Sequence, residues 1–212
     1  MMRCVLAATS VFACAAAFAE PLRFEQAFAD APVSLHYTAT YQARDGAHGV
    51  EAWVDQGTRV KRITDGKLET QAQRADAREA EYAMTVLDRE RRIATRITRG
   101  SLFQLGNFTD WFELAHALRV PRGAYELART TVPERVAPAV APCDWYRLVQ
   151  EGHASTICWI EAAGLPLVIL SESGREVWRV TQFERGPVPA TVFEVHDEGF
   201  VRNDANSDLE RD

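Results

Sequence analysis

The run 33–43 constrains this chain most. Val33, Leu35, Tyr37, Ala39 and Tyr41 alternate there with Ser34, His36, Thr38, Thr40 and Gln42. A helix would scatter these apolar side chains around its axis, whereas a strand gathers them on one face, so the run dictates a long strand buried on one side. Such a strand needs partners for its backbone groups, and the turn dipeptides Asp45-Gly46, Gln56-Gly57 and Asp65-Gly66 bring them back at short intervals. The spacing predicts strands at about 49–55, 58–64, 67–74, 80–88 and 91–98, an antiparallel meander.

The rhythm changes at 109–118. Trp111, Leu114, Ala115 and Leu118 recur at i, i+3, i+4 and i+7, which is helical spacing; Asp110 stands where a cap belongs, Glu113 can reach back in a capping box, and Pro121 stops the helix. Residues 132–142, with Pro133, Pro138 and Pro142, read as an irregular connection, and strands resume at 144–150, 156–162, 166–171, 175–184 and 191–196. The expected fold is mainly β (α+β): one strongly curved antiparallel sheet of about eleven strands, a half-barrel, with the helix on its concave face. A sheet that large with one apolar face must curl to cover it. A bent sheet plugged by a helix leaves an apolar space between them, where ligands bind.

The first nineteen residues carry Arg3, an apolar run from Cys4 to Phe18, and the small-x-small ending Ala17-Phe18-Ala19, the pattern of a cleaved secretory signal peptide. A second reading makes Val11-Phe12-Ala13-Cys14 a lipoprotein box with Cys14 acylated, but bulky Phe12 suits that cleavage poorly. The expected organisation is a signal peptide at 1–19, a single β domain at 20–196 and an acidic tail at 197–212, in a periplasmic protein with no integral membrane segment. Loss of Arg3 with the leader takes the formal charge from −6 to −7. That acidity argues against nucleic acid as a partner, since phosphate binding needs a basic surface.

Cys4 and Cys14 leave with the leader, so Cys143 and Cys158 remain as an even pair in an oxidising compartment. No Cys-x-x-Cys occurs, nor ligands to complete a zinc site, so a structural disulfide is expected, worth about 3 kcal/mol for a loop of this length. A turn centred on Gly152-His153 would set residue 147 opposite Cys158, and the chain would have to curl back at Pro142 to close the bridge. His36, His48, His116, His153 and His196 show no metal-ligand spacing and read as surface or edge residues. No nucleophile elbow, metalloprotease helix or phosphate loop occurs, so neither an enzyme nor a cofactor is expected. Asp204, Asn206 and Asp208 open like a calcium loop, but Leu209 stands where that loop needs glycine.

The layout, with Gly49-x-x-x-Trp53-Val54, Arg59 at the start of the next strand and Ile63-Thr64-Asp65-Gly66-Lys67, resembles the periplasmic lipoprotein-carrier superfamily of LolA/LolB-like half-barrels over residues 31–193. The resemblance implies an incomplete barrel whose helical lid covers a cavity for acyl chains. The family's proline between the tryptophan strand and the arginine is absent, only one clear helix is predicted, and the segment 143–158 lies outside the carrier signature. Cys143, Cys158, Trp159 and Gly164-Leu165-Pro166-Leu167 look more like a domain of unknown function that shares the architecture. Fold carries over more safely than function.

On this reading Tyr37, Tyr41, Trp53, Tyr82, Trp111 and Phe112 line the cavity, although they, with Phe103 and Phe108, would equally make an ordinary core. Arg59 and Arg62 are headgroup candidates. The function expected is non-catalytic binding of a lipid, or of the acyl part of a lipoprotein, by burial between sheet and helix at about 0.8 kcal/mol per methylene. A cavity for two chains of moderate length would bind tightly without specific polar contacts. The alternative is a protein-interaction or sensing module with a solid core, acting through a sheet edge or the 132–142 loop.

Overall fold

The computed structural model describes residues 22–29, 32–104, 110–134 and 136–206. The segment 1–19 read as a signal peptide, with Cys14, and Phe108 and Asp208 lie outside them.

Short turns, and a longer connection over 74–82, join β1 (Ser34–Gln42), β2 (Ala47–Asp55), β3 (Arg59–Thr64), β4 (Leu68–Gln73), β5 (Ala83–Asp88) and β6 (Ile93–Thr98) into the expected meander. After the helices come β7 (Tyr125–Arg129), β8 (Asp144–Gln150), β9 (His153–Ile160), β10 (Leu165–Ser171), β11 (Glu176–Arg185) and β12 (Val201–Asp204). All twelve belong to one open curved sheet, ordered β12-β6-β5-β4-β3-β2-β1-β11-β10-β9-β8-β7. The two halves join where β1 pairs with β11, from Leu35 opposite Arg185 to Tyr41 opposite Trp178.

The half-barrel stands, with corrections in detail. β7 and β12 were not expected. The strand expected at 191–196 is instead a 3-10 turn, Ala190–Phe193, followed by extended chain. Of the acidic tail expected at 197–212, residues 197–206 belong to the fold: β12 pairs in parallel with β6, and Asp197 is buried against Arg202 at 3.0 Å. Asp204 Oδ1 accepts from Asn206, while Asn206 Oδ1 accepts from Thr98 and Ser101, so both oxygens are engaged in the fold.

Among the described residues there are three α-helices rather than one: α1 (Phe24–Ala27), α2 (Arg99–Gln104) and α3 (Trp111–His116). Asp110 caps α3 through the Phe112 amide, but Glu113 pairs with Arg119 at 3.1 Å instead of closing a capping box. Ala117, at φ +52, ends the helix before Leu118 is reached.

Alternation assigns the two faces. Leu35, Tyr37, Ala39 and Tyr41 share the inner face with Val50, Ala52 and Val54, and register carries it on to Val60, Arg62 and Thr64. Trp111 packs into the core on this side. On the other half Phe24, Phe28 and Phe112 close over Tyr146, Ile157 and Trp159, with Phe28 and Trp159 ring centroids 5.1 Å apart. Each such buried aromatic contributes about 1.5–3 kcal/mol.

The outer face is covered in two places. The loop 132–142 lies against β8–β11: Arg179 donates to the Ala137 and Pro138 carbonyls, and Cys143 bridges to Cys158 with Cα atoms 5.5 Å apart. The β8–β9 turn centres on Glu151-Gly152, so Trp145 rather than residue 147 faces Cys158, and the chain curls back over two positions rather than four. Residues 187–200 form a strap from β11 across the outer face to β12. Lys61 donates to the Val192 carbonyl at 2.9 Å and Gln71 to that of Glu194 at 3.2 Å.

Candidate functional site

Beneath α3 the inner face is part filled and part open. Trp111 fills one side, buried against Tyr82 at 5.7 Å with the Arg74 guanidinium 4.3 Å from its ring centroid. Phe112 turns the other way, into the α1 cluster, 5.5 Å from Phe24. Both are core residues. Alongside them, over β3–β5, runs a groove of about 320 Å³ lined by Tyr41, Val60, Arg62, Leu68, Met84 and Leu114, with Thr64, Thr70, Ala72 and Glu113 completing it.

The predicted residues therefore divide. Tyr41 and Arg62 reach the groove. Tyr37 is buried against Trp178 at 6.2 Å, and Tyr82 is buried against Trp111, so both belong to the core. Trp53 is on the wrong face: it points outward and stacks on His36 with centroids 4.8 Å apart. Arg59 is also outside, paired with Asp55 and lying 4.6 Å from the centroid of Phe193 in the strap. Their parity is the reason: Trp53 and Arg59 alternate with the buried Val50, Ala52, Val54 and Val60 and so face the other way. Val60, Leu68, Met84 and Leu114 were missed; Leu68 alone carried a signal, as an apolar residue beside a turn, and it remains 42% exposed.

Arg62 gives the groove its chemistry. It is half-buried and makes no hydrogen bond or ion pair within the described residues, unlike Glu113 across the groove, which is engaged by Arg119. Its charge is felt by Tyr37, whose phenol burial pushes up and Arg62 pulls back. Burial also pushes the Tyr82 phenol to about 12, so both phenols are neutral at ordinary pH. His116, expected at the surface, is a core residue: it is buried against Phe112 and Trp159 and bonds through Nδ1 to the Gly164 carbonyl at 2.7 Å. Gly164 is at φ +58, and a Cβ there would lie 3.0 Å from that nitrogen. Among the described residues no three His, Cys, Asp or Glu side chains converge as metal ligands, and no helix is long and apolar enough to cross a membrane.

No protein-family model and no curated protein sequence matches the chain. Among solved structures it is similar to the MucA/MucB complex of Pseudomonas aeruginosa, at 18% identity and TM-score 0.43 over 82% of this chain and 60% of that one. A second structure, MucB in complex with MucA(peri), gives 19% identity and TM-score 0.39 over 81% and 57%. PNGF-II gives 6% identity and TM-score 0.40 over 85% and 32%. The chain thus spans less than two thirds of each of these proteins.

Proposed function

We propose that the protein is an exported, non-catalytic carrier that takes one apolar chain with an acidic head into the groove beneath α3. The observation that carries this reading is the pairing of apolar walls with an unengaged guanidinium in a groove of about 320 Å³. That volume stands at the lower end of ligand sites, which run from about 300 to 1,000 Å³ with a few placed polar groups. It suits one chain, not two. The tail would be held by burial at about 0.8 kcal/mol per methylene, and the head by Arg62. The leader at 1–19 and the disulfide support an oxidising, extracytoplasmic compartment.

The test is titration of the purified protein with a fluorescent fatty acid and with the matching uncharged alcohol. Met84→Trp, which fills the groove from a half-buried position, should weaken both by tenfold or more without lowering Tm. Arg62→Gln should weaken the acid by about tenfold and leave the alcohol unchanged. No binding by the native protein, or equal binding by Met84→Trp, would overturn the proposal.

A second reading is favoured by a hollow of about 490 Å³ along the 132–142 loop, beside exposed Val132 and Val140: docking of a protein partner on the outer face. Val132→Asp with Val140→Asp would then abolish association and spare groove binding.

A further inference from the structure

Two hairpin tips stand beside the groove, and one imidazole ties them together. β1 turns into β2 through 43–46, and β3 into β4 through 65–67. Tyr41 ends two residues before the first turn, while Thr64 and Leu68 flank the second, and all three line the groove. His48 is the ladder partner of Tyr41, and their rings stack with centroids 5.0 Å apart and planes 25° from parallel. Its Nδ1 lies 2.7 Å from Asp65 Oδ2 in the second tip, and its Nε2 lies 2.9 Å from Asp45 Oδ1 in the first. Asp65 is itself fixed, because its Oδ1 accepts from the Gly49 amide at 2.8 Å.

A neutral imidazole carries one N–H and can serve only one of these acceptors; the imidazolium serves both. The hydrogen bonds to Asp65 and Asp45 accordingly raise the His48 pKa above its ordinary 6.5, and the same bonds hold both carboxyls below their usual range. Of the other charges, Lys67 lies beyond Asp65 and is met by Glu90 at 2.7 Å. Neither competes for the ring. In the charged ring both nitrogens donate to carboxylates and neither keeps a lone pair for a metal.

We infer that His48 is a proton-operated clip beside the groove: charged, it ties the two hairpin tips and braces Tyr41 along the ligand; neutral, it frees one tip and the wall that Tyr41, Thr64 and Leu68 form loosens. This rests on the groove reading. Because the folded His48 pKa is raised and the two carboxyls are held below their usual range, the clip is made in mildly acidic medium and is lost as pH rises through the raised imidazole value. The ligand is gripped in mildly acidic medium and let go on alkalinisation.

Two measurements test this. In an NMR titration the Tyr41 ring signals should move with the apparent pKa of the His48 imidazole. In stopped-flow experiments with anilinonaphthalene sulfonate, whose charge is constant over this range, the dissociation rate should rise roughly tenfold across the same titration, the scale of one lost charge-assisted hydrogen bond. His48→Gln should release the probe fast at every pH. Tyr41 signals indifferent to His48, or release that stays flat with pH while Met84→Trp still blocks binding, would overturn the clip and leave the groove standing. Absence of probe binding at every pH would overturn both.

Discussion

Glu69 is 2% exposed on the outer face, yet ionised among Lys61, Arg89 and Gln71. Burial raises its pKa, but the hydrogen bonds from Gln71 and Arg89 and the charge of Lys61 more than offset it and hold the carboxyl below its ordinary 4.5. A depressed carboxyl stabilises the fold above the unfolded value, and that contribution fades as pH falls through the folded one. Urea unfolding should therefore show native stability falling below about pH 4.5, with Glu69→Gln flattening that slope. The same substitution leaves Lys61 buried without its counter-charge, and should cost about 3–5 kcal/mol at pH 7. Trp111→Ala and Phe112→Ala remove core and not lining, so each should cost about 3–5 kcal/mol in thermal unfolding while probe affinity changes little. Had these rings lined the groove, affinity would fall first. Composition could not separate those roles, because core and cavity draw on the same residue types. Strand parity could, and it would have rejected Trp53 and Arg59 at once.

Strict alternation made β1 readable, and glycine turns bounded the strands after it. β7 has five residues, with Leu127 its one buried side chain, too little for a periodic signal. β12 is exposed along its whole length and its composition resembles a solvated tail; only its pairing with β6 shows otherwise. The converse error fell at 191–196, where Val192, Glu194 and Val195 look strand-like but the carbonyls are taken by Lys61 and Gln71 instead of a ladder. α1, at four residues, is too short for helical periodicity to show, and α2 has only Leu102 as a buried side chain, so no apolar spacing marks it. The disulfide was foreseeable from the cysteine pair, and its placement awaited the turn. Replacing both Cys143 and Cys158 by alanine should lower stability by about 3 kcal/mol in urea. Faster hydrogen exchange should then appear at residues 132–142 before it appears in β8 and β9.

The meander of local hairpins becomes a half-barrel only when β1 finds β11, with Ala39 opposite Val180. That pairing joins positions far apart in the chain, and such contacts slow folding. Tryptophan fluorescence should report refolding in milliseconds to seconds; a microsecond phase carrying the whole amplitude would contradict a fold closed this way. That the sheet would curl followed from its size and its single apolar face, whereas the room left beneath its helical cover depended on how Trp111 and Phe112 turned, and composition does not record that. The strap adds one more consequence. Its lead-in at Gly186 and Pro187 is exposed, while the part beyond is held by two donated hydrogen bonds, a ring beneath Arg59 and a four-residue parallel ladder. A protease nick at that lead-in would convert the protein into two pieces that still travel as one through gel filtration and part only under denaturant, and a synthetic copy of the smaller piece could be exchanged for the original.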